Sequence, residues 1–129
     1  MSYVELGTNS QTVTVASEIA LATTSLNDGV PASARVVITG YVAAAAGTGG
    51  TTAAVKVRQG TSTSGTQVGP TITSAVQTAG LANVVPFTVV DLAPPANGQY
   101  VVTLTFTGNS SSVVTSTIAA IYDFGELES

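Results

Sequence analysis

Tyr100-Val101-Val102-Thr103-Leu104-Thr105-Phe106-Thr107 is the stretch on which the fold turns. In an extended chain successive side chains point to opposite faces, so Tyr100, Val102, Leu104 and Phe106 share one face and Thr103, Thr105 and Thr107 the other. That is the pattern of a strand with one buried face. The same period recurs at residues 53 to 58, where Ala53, Val55 and Val57 face in and Lys56 and Arg58 face out. It recurs again at 84 to 91, with Val85, Phe87 and Val89 on one side and Val84, Pro86, Thr88 and Val90 on the other. This second side is too apolar for open solvent and predicts cover by another sheet, a loop or a neighbouring subunit. Pro86 cannot donate to a ladder, so its strand is expected at a sheet edge or in a bulge.

Turn chemistry separates the runs. Asn27-Asp28-Gly29, the glycine-rich 47–50 and 60–65 segments, Pro94-Pro95-Ala96-Asn97-Gly98 and Gly108-Asn109-Ser110 all favour chain reversal. Helical signals are nearly missing. Ala43 to Ala46 is too short to sustain a helix and runs into Gly47-Thr48-Gly49-Gly50, so it reads as a strand end entering a loop. Strands are expected near residues 11–16, 19–25, 34–44, 53–59, 67–77, 83–91, 98–107 and 113–123. About eight short strands at regular spacing predict an all-β sandwich. A single jelly-roll-like sandwich of antiparallel strands fits that number, with an immunoglobulin-like sandwich as the alternative. No linker divides the chain. Residues 1–10 read as an N-terminal arm or frayed terminus, 11–124 as the sandwich domain and 125–129 as an acidic C-terminal tail.

Composition adds a second line of argument. The 129 residues include 19 Val and 18 Ala but only four Tyr, three Phe and no Trp. Small side chains remove less apolar area from water, at roughly 25 cal/mol per Å², so association with neighbours would add stability. Charged residues are 8% of the chain, against about 25% in an ordinary soluble protein. The polar surface is built instead from 21 Thr and 13 Ser. Sparse charge suits a protein whose surface lies against other subunits, because interface cores are depleted in charged residues.

The formal net charge of −4, with only Arg35, Lys56 and Arg58 to meet phosphates, argues against nucleic acid as a partner. Met1-Ser2-Tyr3-Val4-Glu5-Leu6-Gly7 has neither a basic segment nor an apolar run, so a secretory signal is not expected there. No stretch approaches the roughly 20 apolar residues of a membrane helix, and no membrane partner is expected.

Chemistry-bearing residues are few. The chain has no His and no Cys, which removes the commonest general base, the Ser-His-Asp and Cys-His arrangements and ordinary zinc chemistry. A glycosidase would need two carboxylates flanking the scissile bond. The candidates are Glu5, Glu18, Asp28, Asp91, Asp123, Glu126 and Glu128, most of them at turns or termini. Calcium would require Asn27, Asp28 and Asp91 to converge, but Asn27-Asp28-Gly29 is better explained as a turn. Gly47-Thr48-Gly49-Gly50 lacks the lysine and the helix of a phosphate loop. Asp123-Phe124-Gly125 lacks every other kinase element, and Asn109-Ser110-Ser111 is a polar turn. Lys56 and Arg58 either meet an acidic partner patch or guard a strand from edge pairing. Among the aromatics, Tyr100 belongs to a core stripe, and Tyr41 and Tyr122 are expected to be buried. No catalytic, cofactor-binding or metal-binding residue is assigned, and no enzyme activity is expected.

Four segments carry a resemblance. Ala34-Arg35-Val36-Val37-Ile38-Thr39-Gly40-Tyr41-Val42 is followed by Val55-Lys56-Val57-Arg58-Gln59-Gly60-Thr61. Val85-Pro86-Phe87-Thr88-Val89-Val90-Asp91 and Asn97-Gly98-Gln99-Tyr100 complete the set. From Ser33 to Phe124, about seven-tenths of the chain, the sequence resembles small bacteriophage head decoration (cement) proteins and related jelly-roll virion modules. The resemblance implies a non-enzymatic virion protein that binds and stabilises the capsid surface. Its implied partners are the major capsid protein and two further copies in a homotrimer covering Val84, Val90 and Ile72. A receptor- or glycan-binding module of a tail fibre, using Tyr41 or Tyr122, is the alternative.

Overall fold

The alternating runs become strands in a computed structural model, which describes residues 2–13, 17–25, 30–31, 33–45, 52–74, 82–106 and 112–123. The strands are β1 (Ser2–Val13), β2 (Ile19–Thr23), β3 (Arg35–Ala45), β4 (Ala53–Gln59), β5 (Gln67–Thr73), β6 (Ala82–Asp91), β7 (Tyr100–Phe106) and β8 (Ser112–Asp123). No helix occurs among the described residues. The strands form two four-stranded sheets, ordered β1-β8-β3-β6 and β2-β7-β4-β5.

Every pairing is antiparallel, and each strand pairs with its counterpart counted from the other end of the chain: β1 with β8, β2 with β7, β3 with β6, β4 with β5. This is one long hairpin ribbon, folded so that its halves close over a common core, with β3–β8 and β4–β7 pairings knitting each sheet together. Such a double-sheet arrangement is a jelly roll. In an immunoglobulin sandwich the first two strands share a sheet, whereas here β1 and β2 lie in different sheets.

Between the sheets the expected inward residues meet. Tyr100, Val102, Leu104 and Phe106 of β7, Val55 and Val57 of β4, Val85, Phe87 and Val89 of β6, and Val36, Ile38 and Val42 of β3 are all buried in one core. Of the sheet edge or bulge expected from Pro86, the edge is found, since β6 is the last strand of its sheet. Both phenols enclosed by the core find acceptors, as buried hydroxyls must. Tyr100 Oη donates to Asp91 Oδ2 at 2.8 Å, and Tyr122 Oη donates to the Gly98 carbonyl.

Two expectations are corrected. Residues 2–10, read as an arm or frayed terminus, belong to β1, which pairs with β8 from Ser2↔Asp123 to Val13↔Ser112. That ladder holds β1 along one side, although its inward positions include Glu5, Gly7, Asn9 and Gln11, none of them apolar enough to announce a strand. Ile72, grouped with Val84 and Val90 as a face for subunit contact, lies in the other sheet on β5 and packs partly buried against the core. The 125–129 tail lies outside the described residues.

Candidate functional site

The two outer sheet faces differ, and the difference follows from which side chains each strand turns outward. On the β2-β7-β4-β5 sheet the outward residues include Lys56 and Arg58. Arg58 reaches Glu18, one residue before β2, through Nε to Oε2 at 2.7 Å and Nη2 to Oε1 at 3.0 Å. The fork geometry matches a carboxylate, and the pair is charge-assisted. Arg58 Nη1 donates to the Gly65 carbonyl at 2.9 Å, and Thr103 Oγ1 donates to Glu18. The hydrogen bond from Arg58 depresses the Glu18 carboxyl below its ordinary value, although burial opposes the shift; Thr103 and the Arg58 and Lys56 charges reinforce it. Beneath this cluster Val101 and Thr103 are buried, so β7 is covered on both faces. The sequence placed Thr103 on the outward face, and there it lies, but under an ion pair. Arg58 therefore binds within its own chain, and β4 is no edge needing a guard, since β5 and β7 flank it.

Asp91 is the other organised acid. It is buried at the end of β6, accepting from Tyr100 Oη, from Gln59 Nε2 at 2.9 Å and from the Ala93 backbone N–H at 2.9 Å. Burial, then the bond to Asp91, pushes ionisation of the Tyr100 phenol far above its ordinary range. Its three donors tie β4, β6 and β7 together at one end of the sandwich. Asp91 faces the core while Glu18 lies on the outside of the β2-β7-β4-β5 sheet, so these two carboxylates do not flank a common cleft. No group of three or more acidic side chains comes together among the described residues. Of the remaining candidates, Asp123 ends β8. Asn27, Asp28, Gly47 to Gly50, Asn109 to Ser111, Phe124, Gly125, Glu126 and Glu128 lie outside the described residues.

The outer face of the β1-β8-β3-β6 sheet has a different character. Its register sets Ile121, Val37 and Val90 in one row, Leu6, Ala119, Thr39 and Thr88 in the next, then Thr8, Thr117, Tyr41 and Pro86, then Ser10, Thr115, Ala43 and Val84. Arg35 and Asp123 face each other in the row beyond Val37, and from there to Thr12 and Val113 no described outward position is charged. Leu6 (65% exposed), Val113 (62%), Val84 (55%), Val90 (47%) and Tyr41 (40%) all belong to this face. Only Leu92, just past the end of β6, is a large exposed apolar side chain elsewhere among the described residues. The inference drawn from Val84 and Val90 was thus half of the matter. The uncovered apolar face spans four strands. Its β1 and β8 members include Leu6 and Val113, which only the register places beside Val84 and Val90.

At the middle of the face is a depression of ≈ 390 Å³ lined by Leu6, Thr8, Thr39, Tyr41, Thr117 and Ala119 above the backbone of Gly7 and Gly40. Both glycines pair with Ile118 across the sheet. A Cβ on Gly7 would overlap the Thr23 carbonyl oxygen, and one on Gly40 the Thr117 carbonyl and the Phe87 ring. The absence of both side chains lets the main chain settle inward, which leaves the hollow outside. Tyr41, expected to be buried, is exposed on its wall, whereas Tyr122 is fully buried.

No family model matches the chain, and no curated protein matches it in sequence. Solved structures do match. A chain from the infectious bursal disease virus Gx strain superposes with a TM-score of 0.57 at 18% identity, over 99% of this chain and 33% of that one. A chain of the T13 infectious bursal disease virus particle gives 0.56 at 16% identity, over 95% and 35%. The VP2 subviral particle of the same virus gives 0.53 at 15% identity, over 95% and 37%. The chain spans about a third of the length of those virus-particle proteins, and what it shares with them is the jelly-roll fold.

Proposed function

We propose that the protein is a non-enzymatic structural module of a bacteriophage virion that binds the capsid surface and stabilises it, acting as a homotrimer. The observation that carries this reading is the broad, almost uncharged outer face of the β1-β8-β3-β6 sheet, exposed on a rigid sandwich. An uncharged face of this extent, its apolar side chains interspersed with threonine hydroxyls, is the kind of surface that other subunits cover. The jelly roll shared with virus-particle proteins supports the same reading. So does the engagement of Glu18 and Asp91 in internal bonds, which leaves neither poised as an acid or base. A clamp of this kind works by burying surface across coat subunits, and its partner is the major capsid protein.

The test is co-sedimentation with capsid shells of the encoding phage prepared without the protein. Saturable, stoichiometric binding and a raised shell-disruption temperature are expected, and shells that sediment free of it overturn the reading. A second reading, a glycan-binding module of a tail fibre, keeps one observation in its favour: Tyr41 is exposed beside the hydroxyls of Thr8 and Thr117 in the depression. A reproducible glycan-array hit lost in Tyr41→Ala would favour it. Tyr122, buried and bonded to Gly98, no longer belongs to that reading.

A further inference from the structure

We propose that the outer face of the β1-β8-β3-β6 sheet is the surface by which this chain binds a second copy of itself. The proposal deepens the structural-protein reading and rests on it, and three features of the face favour a like partner.

The first is charge. Beyond the Arg35–Asp123 row the described outward positions are Val, Ile, Leu, Ala, Pro, Tyr, Thr and Ser. Stacking this face on a copy brings no like charges together and strips no ion of its water. A charged partner surface would lose hydration against it and find no countercharge.

The second is size. Four strands about 4.8 Å apart and roughly ten residues long at ~3.3 Å each give a plane of ~600 Å² per copy. Two copies would bury ~1,200 Å², which reaches the lower bound of a specific interface.

The third is shape. Leu6, the most exposed large apolar side chain on the face, stands at the rim of the depression floored by Gly7 and Gly40. One copy therefore supplies both an apolar knob, on edge strand β1, and a hollow beside it on the same patch. Entry of one copy's Leu6 into the hollow of the next is a head-to-tail contact of the kind that closes a ring such as a trimer, and anchors in pockets carry most of the energy of an interface.

Sedimentation equilibrium of the full chain from about 1 to about 500 µM reads the association directly. The wild type is expected to rise above its monomer mass of 12.8 kDa. Leu6→Lys and Val84→Lys are expected to weaken association tenfold or more, while Thr66→Lys, exposed between β4 and β5 away from this face, leaves it unchanged. Circular dichroism melts check that each variant is folded. A wild type that stays monomeric, or one whose association ignores both face variants, overturns the proposal. If both face variants dissociate the protein but the wild type does not bind capsid shells, the self-contact stands and the virion reading falls. Shell binding by a protein that never self-associates is the reverse case.

Discussion

Replacing Tyr100 by Phe removes one oxygen from the core and leaves the ring in place. In the wild type that oxygen donates to Asp91 Oδ2 at 2.8 Å, and both residues are buried. A hydrogen bond to a charged group contributes about 1.5–3 kcal/mol. Asp91 retains Gln59 Nε2 on the same oxygen and the Ala93 N–H on the other, so the carboxylate is not stranded. The loss therefore falls toward the middle of that range, at about 2 kcal/mol. Unfolding entropy near 2.1 cal/mol/K per residue gives about 0.27 kcal/mol/K for this chain, so the melting temperature should drop by about 7 °C. Asp91→Ala leaves Tyr100 Oη and the Ala93 N–H without this acceptor, while Gln59 Nε2 keeps only the Ala93 carbonyl at 3.1 Å, and should cost clearly more. Urea and thermal unfolding followed by circular dichroism measure both. Tyr100→Phe within 0.5 kcal/mol of wild type, or Asp91→Ala costing less than Tyr100→Phe, would refute the reasoning.

Two further outcomes follow from the same geometry. Glu18 has a folded-state pKa below its ordinary value, so its contribution to stability is complete above the unfolded value of about 4.5 and is lost as pH falls through the folded one. Urea midpoints between pH 6 and 2 should fall less steeply for Glu18→Gln than for wild type, and parallel profiles would remove Glu18 from the account. Gly40→Ala drives a Cβ into the Thr117 carbonyl and the Phe87 ring. A cost of about 1–3 kcal/mol in urea unfolding is expected, as for other overpacked positions, and a neutral result would mean that the sheet can flatten there.

Much of the fold is legible because strand periodicity is local. The inward residues of β4, β6 and β7 needed only their own neighbours to be read, and Pro86 placed β6 at an edge through its missing N–H. β1 escaped because its pattern is inverted. Leu6 points outward, while Glu5, Gly7, Asn9 and Gln11 turn inward at the margin of the core. An edge strand whose described inward side chains include one large apolar residue, Val13, carries little amphipathic signature.

The sequence by itself determined an all-β sandwich, the buried stripe from Tyr100 to Phe106, and a chain without His or Cys. Tertiary structure alone decided that the strands pair end to end as a jelly roll, because sheet order depends on contacts between residues distant in the chain, such as Ser2 with Asp123. It also decided that Arg58 is spent on Glu18, 40 positions away, and that Tyr41 turns outward instead of into the core. Finally, it gathered Leu6, Tyr41, Val84, Val90 and Val113 onto one surface. Val84 and Val90 stand out in their own segment, whereas Leu6, Tyr41 and Val113 do not. Together they become a candidate interface only because four strands from different parts of the chain bring their outward faces into one plane.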